Sequence, residues 1–191
     1  MNIICKKIFS AVALLMLLTA CTGEIVGEYC SYQCYYIMDF KWGHTTSHLA
    51  SALQSTNIFA FFSCAPTNSG YVLNSQAYGT ETHSEQITES VLTQPTRIIG
   101  LNNGLIVGRS SFQNNELYVF DRQCPNCYNA DGRPNHMLTF SDNPHNVKCS
   151  DCGRTYGLLN GGVVVAGDNG EKLFRYRASF DGTIFRITNP Q

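Results

Sequence analysis

The sequence predicts an all-β domain: an antiparallel β-sandwich with few short helices. Three observations carry this. Short runs rich in β-branched and aromatic residues recur along the chain, divided by Gly, Asn, Asp and Pro. Asn103-Gly104 and Asp181-Gly182 each stand between two such runs, where a tight hairpin turn needs φ > 0. Helical patterning is confined to 46–53 and 84–92, each long enough for about two turns.

In chain order, the first run spans 34–40 and carries Tyr35, Tyr36, Ile37 and Phe40. The second spans 58–63, with Ile58, Phe59, Phe61 and Phe62, and a short one at 71–73 follows. Runs at 97–101 and 105–109 flank the Asn103-Gly104 turn, and 117–121 follows them. Near the end come 162–166, with Val163, Val164 and Val165, then 173–179 and 183–188. Strands of this length at this spacing belong to antiparallel sheets.

The chain has 191 residues, 43% hydrophobic and only 14% charged, with a net charge of −1. The length suits one domain. A charged fraction well under the usual ~25% excludes a disordered, solvated chain. The near-neutral balance lacks the basic footprint of a nucleic-acid binder, and no polybasic membrane patch is present. Nine cysteines are many for a reduced protein without a metal, so they are followed through the chain.

Residues 1–20 read as a secretory signal. Lys6 and Lys7 precede an apolar stretch at 8–18 that is too short to span a bilayer, and small residues lead to a cysteine. Leu18-Thr19-Ala20-Cys21 looks like the lipobox of bacterial lipoproteins, in which the signal is cut before the cysteine and that residue is acylated. Several acyl chains, at ~0.8 kcal/mol per buried CH₂, hold a protein stably to a membrane. The expected organisation is a signal peptide at 1–20, a lipidated tether at 21–29 and a single domain at 30–191. The expected location is the bacterial cell envelope, facing the periplasm or the outer membrane, with the membrane as partner through Cys21.

Four cysteines form two pairs, Cys124-Pro125-Asn126-Cys127 and Cys149-Ser150-Asp151-Cys152, with 21 residues between them. Two such turns aim four sulfurs at one point, the signature of a tetrahedral thiolate metal site. Pro125 fixes φ in the first turn, and Gly153 permits close backbone approach after the second. Two disulfides are a competing reading for an exported chain, and so is a thioredoxin-like redox pair. The latter needs its cysteine at a helix N-terminus, and 128–134, with Gly132 and Pro134, predicts no helix of useful length.

The surroundings of these pairs resemble the Rieske iron–sulfur domain over 97–189. A strand entering Leu117-Tyr118-Val119-Phe120-Asp121 and Cys124-Pro125 is similar to the entry into that family's first cluster loop. Residues 147–162 look like its second loop, and 173–176 and 182–187 like its closing strands. The combination CPNC, CxxCGRxY and NGG resembles more closely a group of Bacteroides-type lipoproteins with a Rieske-like domain. The resemblance implies a small all-β fold in which two loops grip a metal centre. The Rieske pattern C-x-H and C-x-x-H places two histidine ligands where this chain has Asn126 and Cys152. His136 and His145 match neither position and read as loop residues. Histidine ligation raises the Rieske potential, so the usual electron-transfer role does not carry over. Cys124, Cys127, Cys149 and Cys152 suit Zn²⁺, one iron of rubredoxin type, or an all-cysteine [2Fe–2S] cluster. The spacing makes a single-metal knuckle pair, which favours zinc in a binding or scaffold module, with an iron electron carrier as the alternative.

With Cys5 lost in the signal, Cys30, Cys34 and Cys64 remain. A Cys34–Cys64 disulfide is expected on the view that their strands are antiparallel neighbours, with Cys30–Cys34 as the local alternative. Trp42, His44 and His48 read as an aromatic anchor beside exposed polar residues. No nucleophile elbow, phosphate loop or paired-acid motif is present, so nothing supports an enzyme, and a protein partner at the envelope is left open.

Overall fold

The structure is a computed structural model, and it describes residues 28–40, 47–68, 70–87 and 98–189. The signal, Cys21, most of the tether, Trp42 and His44 lie outside the described residues. The strands are, in order, β1 (Cys34–Asp39), β2 (Phe59–Thr67), β3 (Gly70–Ala77), β4 (His83–Ile87), β5 (Leu105–Ser110) and β6 (Glu116–Asp121). Then come β7 (Thr139–Phe140), β8 (Asn146–Lys148), β9 (Thr155–Gly157), β10 (Val163–Ala166), β11 (Ala178–Phe180) and β12 (Ile184–Asn189). Among the described residues, two α-helices accompany them, α1 (His48–Gln54) and α2 (Pro125–Asp131). The fold is all-β and antiparallel, as expected from the sequence.

The strands make three sheets. A central one has the order β4-β3-β2-β5-β6, a second is β1-β12-β11, and the third is β10-β9-β8-β7. Side chains alternate between the two faces of a strand, and here both faces of the central sheet are buried. Phe62, Leu105, Val107 and Val119 face a core completed by Tyr36, Met38, Phe185 and Ile187. Phe59, Phe61, Ile106, Tyr118 and Phe120 face a second core with Val147, Tyr156 and Leu158. This is why β2 and β5 read as continuous apolar runs rather than alternating ones. Each such side chain contributes about 1.5–3 kcal/mol on burial. Gly108 is required where β5 passes β2, because a Cβ there would overlap the Phe59 ring.

Helix α1 follows its expected position. The Ser47 hydroxyl accepts the Ala50 N–H at 3.2 Å, and Leu49, Ala50 and Leu53 enter the first core. The second expected helix is not formed at its start: residues 83–87 are β4, paired to β3 from Ser75 to Tyr71. Ser84 donates to Asn74 at 2.6 Å across that ladder, so pairing with β3 overrides local propensity. Residues 88–92 lie outside the described set. Of the run at 97–101, Ile98 makes only an isolated bridge to Tyr35, and Arg97 lies outside the described set. The run at 173–179 is mostly not strand either, with Arg175 bridging to Phe120 before β11 begins.

The expected Cys34–Cys64 disulfide is not formed. The premise of neighbouring strands fails: β1 pairs with β12, whereas β2 pairs with β3 and β5. The two side chains face the same core from different sheets.

Asp121 ends β6 fully buried, without a cation beside it. It accepts three hydrogen bonds at 2.7 Å, from the Leu101 N–H, the Gln123 N–H and the Tyr176 hydroxyl. Burial pushes its carboxyl above the ordinary carboxylate range, against the pull of those donors. An unsatisfied buried donor costs about 1–3 kcal/mol, so Asp121→Ala is expected to lower the unfolding free energy by about 3 kcal/mol or more. Tyr176→Phe, which removes one donor and strands none, is expected to cost about 1 kcal/mol. Urea unfolding of the two variants checks the order; an Asp121→Ala as mild as Tyr176→Phe contradicts it.

Candidate metal centre

The second core carries the four-cysteine site at its edge. Past Asp121 the chain turns through Gln123 to Cys124, the N-cap residue of α2, and Pro125 opens the helix where a missing N–H costs nothing. The helix ends at Gly132, whose φ of +71° lets its N–H reach the Tyr128 carbonyl at 2.7 Å. The absence of a helix expected after the first turn is therefore corrected. Pro125 and Gly132 act as start and stop signals for a helix of seven residues.

The return path is tied to the entry. The Cys124 N–H donates to the His136 carbonyl and the Leu138 N–H to the Arg122 carbonyl, both at 2.8 Å. The β7–β8 hairpin then delivers Cys149, and β9 leaves just beyond Cys152. The Cys149 N–H donates to the Arg154 carbonyl and the Gly153 N–H to the Cys149 carbonyl, each at 3.0 Å. Gly153 is needed for its φ of +73°; a Cβ there would meet nothing, so close approach is not its role.

The four Sγ atoms all lie within 4.8 Å of one another. Cys124 and Cys152 stand 3.7 Å apart, as do Cys127 and Cys149, so each of these contacts joins one turn to the other. A sulfur–sulfur bond would be ~2.05 Å, and all four are thiols. A tetrahedron with metal–sulfur bonds of ~2.3 Å has edges of ~3.8 Å. The arrangement can hold a metal ion. Cys124 and Cys149 are fully buried, whereas Cys127 and Cys152 are partly exposed.

Side chains outside the cysteine set organise the sulfurs. The Tyr156 hydroxyl lies 3.1 Å from Cys124 Sγ and accepts a hydrogen bond from Asn126 Nδ2 at 2.9 Å. Asn126 also donates to the Glu171 carbonyl at 3.0 Å and accepts the Glu171 N–H at 2.9 Å. Asn126 is thus used as a brace, and Gly170 leaves room for it, since a Cβ there would overlap its amide oxygen. Arg154 Nε and Nη2 donate to the Asp168 and Asn169 carbonyls at 3.0 and 3.2 Å.

Burial pushes the Cys149 thiol up to about 11 and raises Cys127 further, with the neighbouring sulfurs adding to it. Burial also pushes on Cys152, but the backbone N–H and guanidinium of Arg154 outweigh it and hold that thiol near 7. Cys152 is therefore easier to ionise than Cys127 and Cys149, whose raised thiols a bound cation would help to ionise.

His136 and His145 are not in the cysteine group. His145 Nε2 meets the Asn57 carbonyl at 3.1 Å. His136 lies between two carboxylates, with Nδ1 2.5 Å from Asp151 and Nε2 2.9 Å from Asp131. The bond to Asp151, then that to Asp131, raises its pKa above the ordinary imidazole value. His48 opens α1, far from this group in the chain, and its N–H donates to the Ser75 hydroxyl. Sequence reasoning quoted the GRxY pattern without roles for Arg154 and Tyr156. A polar ring and a guanidinium just after a ligand turn are the signal that was there to read.

No protein-family model matches this chain, and no curated protein matches it significantly. The fold and site define an antiparallel β protein with a four-cysteine group fit to hold a metal ion.

Asn126→Ala removes three hydrogen bonds that join the first cysteine turn to Tyr156 and Glu171. At about 0.5–1 kcal/mol for each of these partly exposed bonds, it is expected to cost about 2 kcal/mol in thermal unfolding. An unchanged melting curve contradicts the bracing role.

Proposed function

We propose that this chain is an exported lipoprotein whose Rieske-like domain holds one structural zinc ion, and that it serves as a binding or scaffold module at the cell envelope. The observation that carries the metal reading is the meeting of four sulfurs within 4.8 Å, with contacts between the turns at the length of a tetrahedral edge. A two-iron cluster puts two irons and bridging sulfides between its cysteine pairs, which then stand further apart than this, so the spacing favours a single ion. Cys124, Cys127, Cys149 and Cys152 would hold it, and the chemistry it supplies is four thiolate bonds that cross-link two loops.

A Rieske-like ancestry is supported by the β5–β6 hairpin running into the first turn and by the second turn lying between the short strands β8 and β9. Cysteine at position 152 and an asparagine brace at 126 replace the histidine pair, consistent with a site turned from redox chemistry to structure. The anchor is supported by the basic, apolar and small-residue order of 1–20 and by the lipobox-like residues before Cys21.

Metal analysis and an absorption spectrum of the full chain, purified without oxygen, test the centre. One zinc per chain and no visible colour are expected; bands that bleach on reduction point instead to an iron electron carrier at the same cysteines. Cys149→Ser is expected to lose the metal and unfold the second loop, and full metal content with an unchanged Tm contradicts this. Labelled palmitate is expected on the wild type and absent from Cys21→Ser.

A further inference from the structure

Resting on the reading of the four cysteines as a metal site, we infer that His136 is a clasp across it. It positions the two cysteine turns against each other and sets how fast a held ion escapes. The imidazole uses both ring nitrogens, one on each turn's side. Nε2 meets Asp131, the last residue of α2, the helix that carries Cys127. Nδ1 meets Asp151, which stands between Cys149 and Cys152. With both nitrogens engaged by carboxylates, the ring has none left to ligate a metal, so its role is to hold loops.

The backbone of the same residue fastens it to the first turn. Its carbonyl accepts the Cys124 N–H at 2.8 Å, and its N–H donates to Gln123 Oε1 at 3.1 Å. Gln123 is itself fully buried and held by Asp121. The clasp therefore pulls on a rigid support at one end and on the second turn at the other. The imidazole side chain is only 17% exposed, under carboxylates that are 36% and 52% exposed. The two accessible sulfurs, Cys127 and Cys152, belong one to each turn. An ion leaves most readily when those turns part, and parting them separates Asp131 from Asp151.

The test loads the full chain with zinc and follows its transfer to an excess of a chromogenic chelator. His136→Ala is expected to bind the same amount of zinc at saturation and release it about tenfold faster, as befits two lost charge-assisted hydrogen bonds. Asp131→Asn combined with Asp151→Asn is expected to reproduce that rate, and adding His136→Ala to the pair to change it no further. His136→Gln, which keeps the backbone contacts and one side-chain bond, is expected to fall between and guards against an alanine variant that fails to fold. Cobalt substituted for zinc is expected to show a shifted visible ligand-field spectrum in His136→Ala, which loss of general packing would not produce. Release at the wild-type rate overturns the clasp, and so do additive effects of the three substitutions. A wild-type chain that binds neither zinc nor cobalt overturns the metal reading itself, and that result is distinct from zinc held equally firmly by wild type and variant.

Discussion

The contact of sulfur with sulfur across two turns is the constraint on which this part of the molecule depends. The sheet that presents the second turn is made of strands of two, three, three and four residues. Ladders that short have too few hydrogen bonds to hold a register alone. They are held by what lies at each end: the second core beneath and the four-cysteine junction at the rim. Burying Cys124 and Cys149 in that core commits the junction to one place, because neither thiol can swing into solvent without opening a packed interior. Cross-linking through a metal would act on the loops as metal binding acts in small metal-dependent domains, where binding free energy is folding free energy.

The central sheet conveys that constraint to the rest of the chain. Its two buried faces make β2, β5 and β6 common walls of both cores, so a shift at the junction meets the packing of β1 and β12 through a single layer. Asp121 stands where this matters. It holds the start of the first cysteine turn through Gln123, the loop at Leu101, and Tyr176 on the segment before β11. Arg175, one residue before Tyr176, bonds Glu28 at 2.7 Å and Glu116 at 2.5 Å while lying over the Tyr118 ring. The carboxylate is bonded by neutral donors, and the guanidinium is committed to Glu28 and Glu116. Each is satisfied by its own set of partners, apart from Arg175 Nε, which has none.

The all-β class was legible in the sequence because apolar runs and turn residues are local signals. The ligand set was legible because two pairs of cysteines at fixed spacing are one too. Strands β1, β5 and β6 are legible nearly to the residue in the runs at 34–40, 105–109 and 117–121. What was not legible depends on partners distant in the chain. Residues 83–87 join a sheet because β3 offers a ladder, and nothing in 84–92 announces it. Strands β7, β8 and β9 are too short to make a run of their own. The seven-residue α2 escaped because Gly132 and Pro134 were read as breaking a helix rather than ending one already formed. The disulfide was misplaced because inference from strand ends assumed a pairing that only the topology fixes.

Thiols outside the junction pose a chemical problem for a chain read as exported, since an oxidising compartment joins accessible cysteines. The structure meets it by burial. The thiolate is the reactive species, and burial pushes the Cys30 thiol up to about 11 and Cys34 higher still, with Asp121 adding to both. Cys34 is fully buried between sheets, so an oxidant has neither access to it nor a thiolate to attack. In the junction, Cys152 is shifted the other way. Arg154 holds Cys152 near 7, giving the group one thiolate ready to take a cation first. A bound cation would favour ionisation of Cys127 and Cys149, whose thiols burial raises. The fold thus separates the described cysteines by environment: Cys34 and Cys64 are enclosed in the first core, Cys30 packs at its edge, and Cys124, Cys127, Cys149 and Cys152 meet at the junction, with Arg154 beside Cys152.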